Sequence, residues 1–372
     1  MASYNEILNR LETEGNLRTI PSNEEREIID FSTNDYMGLA TRIDLREEFF
    51  SRDANKLLPM SSSASRLLAS CQKEHNRLEE LLEELYGRPA LLFNSGYHAN
   101  TGILPALAEG NTFIVADKLS HASIIDGMVL SRAKFTRYPH NDYDRLERIV
   151  SDSAGKHDRI IIVTESIFSM DGDRSDIERL ADIKRRYRNT MLYVDEAHAF
   201  GVTGKYGLGL SHDSACFDDV DVVIGTFGKA AASAGAFASV SPTIKAYLIN
   251  RARSFIFSTA LSPMTSAWTR FMIETLTGME DERHHVKRLS LMLHEALHLT
   301  GSEPSHIAPF ITGDSRKAIE LSTRLKALGY KALPIRTPTV PAGTERIRFS
   351  LSASMSDNDI TGLGKALSSL TS

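Results

Sequence analysis

Cysteine is nearly missing from this 372-residue chain, which has two, Cys71 and Cys216. Far apart and outside any paired spacing, they argue against a zinc ribbon and for a reducing compartment, the cytoplasm by default. Long apolar runs are missing too. No segment approaches the ~18 apolar residues of a membrane span, and the charged stretch from Met1 to Arg18 reads as neither signal nor anchor, so no membrane partner is expected. Neither charge sign dominates. The 43 Lys plus Arg stand against 48 Asp plus Glu, a net charge of -5, without the clustered basic residues of a nucleic-acid binder. Repeats and low-complexity tracts are also missing. What is present is 42% hydrophobic residues over a length ample for a core without disulfides or a structural metal. A small peptide-like binder is excluded.

Short apolar runs recur, each ending on polar or glycine-rich residues: Ala90 to Phe93, Phe113 to Val115, Ile160 to Val163, Met191 to Val194, Val220 to Ile224 and Ala236 to Val240. Such runs read as buried parallel strands. Between them, Leu78, Leu81, Leu82 and Leu85 share one helical face, as do Ile177, Leu180 and Ile183. Alternating strand and helix predicts an α/β fold with a large, mostly parallel sheet covered on both faces. After about residue 242 two helical stretches, near Pro263 to Gly278 and Arg283 to Leu299, follow each other without a strand. A smaller C-terminal α+β part then closes the chain, with helices near Ser315 to Leu328 and Asp357 to Leu370 and strands near Ala332 to Ile335 and Arg346 to Leu351. The expected division is an N-terminal segment 1–45, a sheet domain 46–242, and connecting helices with a small domain over 243–372.

Open α/β sheets bind ligands beyond the carboxyl ends of their strands. Here those ends carry Asn94-Ser95-Gly96-Tyr97, Ala116-Asp117 leading to Ser120-His121, Thr164-Glu165, Asp195-Glu196-Ala197-His198, and Gly225-Thr226-Phe227-Gly228-Lys229. The set offers a lysine, a carboxylate, two imidazoles and small hydroxyl or glycine residues, without the thiols or carboxylate clusters a metal site favours. Pyridoxal 5'-phosphate needs such a set. Its aldehyde requires a lysine, its ring nitrogen a carboxylate, and its phosphate a group of donors. Lys229, Asp195 and the Ser95, Gly96 and Thr226 region can supply them. His198 can donate to the phenolic oxygen, and His121 can lie against the ring.

Each of these residues has an ordinary structural use on its own, as a solvated lysine, a helix-capping aspartate or a loop histidine. Their joint placement is the signal. The tetrapeptide at 195–198 also occurs in one helicase class, but the G-x-x-x-x-G-K-[ST] phosphate loop that reading demands is not in the sequence. The adjacent His284 and His285 point about 100° apart on a helix and make a poor metal pair.

Thr226-Phe227-Gly228-Lys229 and Asp195-Glu196-Ala197-His198 resemble the signatures of the α-oxoamine synthases, which belong to the fold-type I pyridoxal-phosphate enzymes. The likeness runs almost end to end, through Asn34-Asp35-Tyr36-Met37-Gly38-Leu39, Ser120-His121-Ala122-Ser123, Phe168-Ser169-Met170-Asp171-Gly172-Asp173, Ser258-Thr259 and Arg346-Ile347-Arg348. It implies a large cofactor-binding domain, a smaller C-terminal domain, and a homodimer with shared active sites. The implied activity is a decarboxylative condensation of an amino acid with an acyl thioester. His140-Asn141-Asp142 and the stretch from Pro338 to Thr344 resemble the biotin-pathway branch, with L-alanine and pimeloyl-CoA or pimeloyl-carrier protein as substrates. The alternative is a glycine-using member.

The resemblance also implies residue roles. Lys229 holds the cofactor and then serves as base, Asp195 pairs with the pyridinium, His198 donates to the cofactor's O3', and His121 stacks on the ring. Ser95, Gly96, Tyr97, Glu165 and Ser169 line the cofactor pocket. Thr226 holds the phosphate, with Ser258 and Thr259 reaching in from a second subunit. Arg348, assisted by Asn34, clasps the substrate carboxylate. Arg18, Arg336 and Thr339 fall near the acyl substrate. One segment departs from the family: Met60-Ser61-Ser62-Ser63-Ala64-Ser65-Arg66 stands where relatives carry glycines. There Arg66 is a candidate for a distal carboxylate or a phosphate.

Overall fold

All six apolar runs become strands of one seven-stranded sheet in the computed structural model, which describes residues 3–20, 28–299 and 303–371. In chain order the strands are β1 (Ala90–Phe93), β2 (Thr112–Asp117), β3 (Lys134–Tyr138), β4 (Arg159–Glu165), β5 (Thr190–Asp195), β6 (Val222–Thr226) and β7 (Ala236–Val240). Across the sheet they run β1-β7-β6-β5-β4-β2-β3. The central strands are apolar throughout because both their faces are covered. β3 escaped the sequence reading. It is an edge strand with exposed Lys134, Phe135 and Arg137, so no apolar run marks it.

One correction concerns direction. β7, expected to be parallel like its neighbours, runs antiparallel to both β6 and β1. The link from β6 spans only residues 227–235 and holds no helix, whereas a parallel return needs a crossover of about a dozen residues or more.

The helices follow their capping chemistry. Lys73–Tyr86 ends on Gly87 in the left-handed region at φ 67°, a conformation that favours glycine. Ile177–Arg186 starts on Asp176, whose side chain accepts from the Arg179 amide, and ends on Lys184, Arg185 and Arg186, the arrangement the helix dipole favours. Gly96–Leu107 and Ala122–Ser131 cross so closely that a Cβ on Gly127 would lie 2.6 Å from the Asn100 carbonyl oxygen. Both helices feed Ile103, Leu104, Ile124 and Met128 into one core with Ile114 and Ile224 of the sheet.

The chain divides into two compact units, Met37–Phe168 with Arg174–Arg283, and Met1–Tyr36 with Ser169–Asp173 and His284–Ser372. The division therefore does not fall near residue 242. Leu248, Ala252 and Phe255 are buried in the core of the large sheet, and Trp268 and Phe271 pack on Phe49. Of the two successive helices, the first packs on Phe49 in the sheet unit, while the second places Leu289 and Leu293 in the core of the other unit, so the division falls near its start, at 283–284.

The second unit holds three antiparallel strands, β8 (Ile307–Ile311), β9 (Leu333–Ile335) and β10 (Arg346–Ser350), in the order β9-β10-β8. Helices Ser315–Ala327 and Asp357–Thr371 bring Leu321, Leu325 and Leu363 into a core with Phe31, Ile347 and Phe349. The Ser350 amide donates to the Phe31 carbonyl at 2.7 Å and ties the early segment to β10. Among the described residues no helix is long and apolar enough to cross a membrane.

Candidate active site

Asp195 closes β5 with its side chain almost fully buried, 4% exposed. A lone buried carboxylate is costly unless its oxygens accept hydrogen bonds. Here Oδ1 accepts from the Ala197 amide at 2.9 Å and Oδ2 from Asn100 Nδ2 at 2.8 Å. The second amide proton of Asn100 goes to Ser123 Oγ at 2.9 Å, while Tyr193 donates its hydroxyl to Asn100 Oδ1 at 2.5 Å. Ser123 Oγ in turn lies 2.8 Å from His121 Nδ1. Thus a carboxylate, a carboxamide, a hydroxyl and an imidazole form one chain beneath the sheet's carboxyl edge. Partial burial and the nearby Lys229 hold the His121 pKa below its usual value, against the pull of Asp195 and Asp126.

Lys229 stands on the loop after β6, its Nζ 2.7 Å from His198 Nε2. His198 is buried on the loop after β5. Lys229 and Asp195 both act electrostatically on His121 and on Glu165, so the two belong to one site. Thr226 ends β6, its Oγ1 accepting from the Gly228 amide at 3.4 Å and donating to the Gly235 carbonyl at 3.2 Å. Facing it is the start of the helix Gly96–Leu107: a Cβ on Gly96 would sit 4.0 Å from Thr226 Oγ1. Ser95 caps that helix, accepting from the His98 amide at 3.2 Å. Tyr97 is half-exposed on its first turn and donates to Asp126. A helix N-terminus with a hydroxyl beside it is suited to a phosphate.

Ser258 and Thr259 lie next to this turn in the same chain. Asn94 Nδ2 donates to Ser258 Oγ at 2.8 Å and to the Thr259 carbonyl at 2.7 Å. Thr259 also bridges to Ser65, and Ser62 Oγ donates to the Leu261 carbonyl at 2.6 Å. The Ser62 hydroxyl and the Ser65 backbone bridge together pin the unusual segment to residues 259–261. Arg66 donates to Asn76 Oδ1 at 2.8 Å and pairs with Glu79 at 3.6 Å, and it lines a small cavity with Asn94 and Ser258.

Glu165 closes β4 in register with Asp195 and is 2% exposed. Its Oε1 accepts from the His121 amide at 2.5 Å. Burial first, and the Asp195 charge second, push its pKa well above the ordinary 4.5. The folded protein thus holds this proton more tightly than the unfolded chain does. Stability contributed by Glu165 is full below pH 4.5 and drains away as pH rises toward the raised value. Glu165→Gln keeps the acceptor oxygen and removes the titration. Its thermal midpoint should therefore gain on the wild type steadily from about pH 5 upward. Melting curves that stay parallel across that range would contradict the shift.

In the second unit Arg348, 7% exposed, holds another cluster. Nε donates to the Ser169 carbonyl at 2.6 Å, Nη1 to Ser350 Oγ at 2.7 Å, and Nη2 to Asn34 Oδ1 and to the Tyr36 hydroxyl oxygen at 3.1 Å each. Tyr36 donates its own proton to Asn34 Oδ1 at 2.9 Å, and burial pushes its pKa up to about 12. Four of the five guanidinium N–H groups are thereby engaged. A two-pronged grip on a carboxylate requires Asn34 or Tyr36 to yield one of them. In the same unit Arg18 Nη2 donates to Thr339 Oγ1 at 2.8 Å, and Arg336 Nη1 donates to the Gly15 carbonyl. Burial and the neighbouring Arg18 lower the Arg336 pKa, so these three expected residues do gather.

Asn100, Ser123 and Tyr193 were not legible as site residues. Asn100 is buried in its helix beside Ala99, Ile103 and Leu104, but with His98 and Thr101 around it the sequence offers no signal that singles it out. Ser123 looks like an ordinary first-turn serine, and Tyr193 like part of an apolar strand.

The donor set fits pyridoxal phosphate. An amine sits on the loop at Lys229, a buried carboxylate that can only accept faces the same site, and an N-terminal helix turn with Thr226 offers donors to an anion. The aminotransferase class I and II model matches residues 26–367. A putative 8-amino-7-oxononanoate synthase of Pasteurella multocida is 45% identical over 95% of both chains. Among solved structures, the 8-amino-7-oxononanoate synthase of Francisella tularensis superposes with a TM-score of 0.78 at 28% identity, over 92% of this chain and 98% of that one. A serine palmitoyltransferase solved with pyridoxal phosphate gives 0.85 at 26% identity, over 92% and 88%. The chain belongs to the aminotransferase class I and II family, within which it is a pyridoxal-phosphate-dependent, acyl-transferring α-oxoamine synthase grouped with the 8-amino-7-oxononanoate synthases.

Proposed function

We propose that the protein condenses L-alanine with a pimeloyl thioester of coenzyme A or a carrier protein, giving 8-amino-7-oxononanoate, carbon dioxide and the free thiol. The observation that carries this reading is the convergence of Lys229, His198, Asp195 and His121 on one sheet edge, with Lys229 Nζ 2.7 Å from His198. Pyridoxal phosphate, when bound, supplies an electron sink for charge at the amino acid's α-carbon.

The chain's own residues then do the rest. Asp195 would pair with the ring nitrogen, His198 would donate to the phenolic oxygen, and His121 would stack on the ring. Ser95, Gly96, Tyr97 and Ser169 line the pocket, and Glu165 supports His121 from behind. Thr226 and the Gly96 helix turn hold the phosphate, joined by Ser258 and Thr259 from a second copy of the chain. The exposed Phe257, Leu57 and Leu68, at 71%, 84% and 79%, support such a homodimer. Arg348 and Asn34 would fix the alanine carboxylate and so select which bond at Cα is broken. Lys229 takes the proton from alanine Cα. That carbon forms a bond to the thioester carbonyl, the thiolate leaves and is protonated, the carboxylate departs as carbon dioxide, and a proton returns to Cα. Arg18, Arg336 and Thr339 receive the acyl chain, with Arg66 as a further cation.

The test is a panel of alanine, glycine and serine against acetyl, succinyl and pimeloyl thioesters, with product masses measured. Alanine with the pimeloyl thioester should turn over fastest. Turnover with glycine or serine alone would defeat the substrate assignment while leaving the cofactor chemistry standing.

A further inference from the structure

Proton positions through the chain beneath Asp195 follow from the groups in it that can only accept or only donate. Asp195 accepts and cannot donate, so the atom 2.8 Å from its Oδ2 is the amide nitrogen of Asn100. The Tyr193 hydroxyl at the other arm then donates to the amide oxygen. With both Asn100 protons committed, to Asp195 and to Ser123 Oγ, Ser123 has one hydroxyl proton left to give, and His121 Nδ1 lies 2.8 Å away. The Ser123 amide points at the same nitrogen from 3.2 Å. A backbone amide can only donate, so Nδ1 accepts from it, and with the Ser123 hydroxyl directed the same way the imidazole proton is left on Nε2.

We propose that Asn100 is a positioning residue that couples Asp195 to His121, aiming the carboxylate and, through Ser123, holding His121 as the neutral Nε2–H tautomer. The inference deepens the proposed reading of the site and rests on it for its catalytic meaning, though not for its geometry. A neutral ring lies against a flat partner without adding a positive charge, and its Nε2–H becomes the one donor His121 can present. The cofactor's carboxylate and its stacking imidazole are thus set by one carboxamide. The groups that face His121 are Asp195 from β5, Lys229 from the loop after β6, Asp126 from its own helix, and Glu165, which holds its amide. The helix of Asn100 is fixed against that of His121 by the close approach at Gly127, so the relay cannot be stretched by sliding.

The test uses the full-length protein, labelled with 15N-histidine, with and without added pyridoxal phosphate. In the wild type the His121 resonance, assigned by its loss in His121→Gln, should show the neutral Nε2–H pattern at pH 7 and stay neutral below pH 6.5. In Ser123→Ala only the longer backbone-amide contact to Nδ1 remains, and in Asn100→Ala the Ser123 hydroxyl is free to turn away from the ring, so in both the Nδ1–H tautomer should gain population and the titration midpoint should rise by about one pH unit. The visible cofactor band of the loaded variants should shift its own pH midpoint in parallel. If either folded variant loses thermal stability while tautomer and midpoints stay as in the wild type, the relay is only structural and the proposal falls. Should Asn100→Ala fail to fold, Ser123→Ala decides alone, since it removes a single oxygen and leaves Asn100 on Asp195. A relay that responds as expected in a protein that binds no pyridoxal phosphate would sink the proposed function and spare the geometry.

Discussion

Lys229→Ala is expected to remove the visible cofactor absorbance of the purified protein and to lower turnover with alanine and a pimeloyl thioester by about three orders of magnitude or more. A positioned general base alone contributes roughly 100- to 10,000-fold, and here the same amine also anchors the cofactor's aldehyde. The loss should not come from unfolding. Lys229 is half-buried on a loop, outside the sheet core that Ile224 and Val240 build, and a melting curve near that of the wild type would show this. Free pyridoxal phosphate should still bind through Thr226, the Gly96 turn and Asp195, but should be removable by dialysis. A variant that kept the band and the rate would place the reactive amine elsewhere.

Asp195→Asn should weaken cofactor retention and turnover on the order of 100- to 1,000-fold, through two separate losses. The ring nitrogen loses its charged partner, a hydrogen bond worth about 1.5–3 kcal/mol. In addition the carboxylate accepts from two fixed donors, the Ala197 amide and Asn100 Nδ2, whereas a carboxamide has a single oxygen. One of those donors must then face an NH2 group, at a cost of about 1–3 kcal/mol for a buried donor left unpaired. Asp195→Asn should therefore perturb Asn100 and His121 even before cofactor is added. Ordinary cofactor affinity in this variant, measured by titrating the absorbance band, would remove Asp195 from the pyridinium's side.

The sheet and the strand-end residues were readable because burial on both faces forces apolar runs and because the chemistry lies where those runs stop. Lys229, His198, Thr226 and Asp195 announce themselves in this way. The edge strand β3 and the reversed β7 did not, since an exposed edge needs no apolar run and direction depends on the length of the following link. The division of the chain was illegible for a different reason: the helices after residue 242 carry the same periodicity whether they cover the large sheet or start a new unit. Asn100 and Ser123 lie beyond the reach of pattern, because their meaning comes from proton counting between three elements that are distant in sequence. The engagement of Arg348 by Asn34, Tyr36, Ser169 and Ser350 is of the same kind.

The smaller unit is stitched from both ends of the chain. Asn16 donates to Thr337 across 321 positions, and Phe31 receives its strand contact from Ser350. A ribosome releases the first thirty-six residues long before their partners exist, while almost everything the sheet unit requires lies between positions 37 and 283. During synthesis the early segment must therefore wait, with Phe31 uncovered, until the last strand emerges. A polypeptide halted near residue 290 would own a finished sheet and an orphaned leader, and such arrested chains should lose that leader first to a protease.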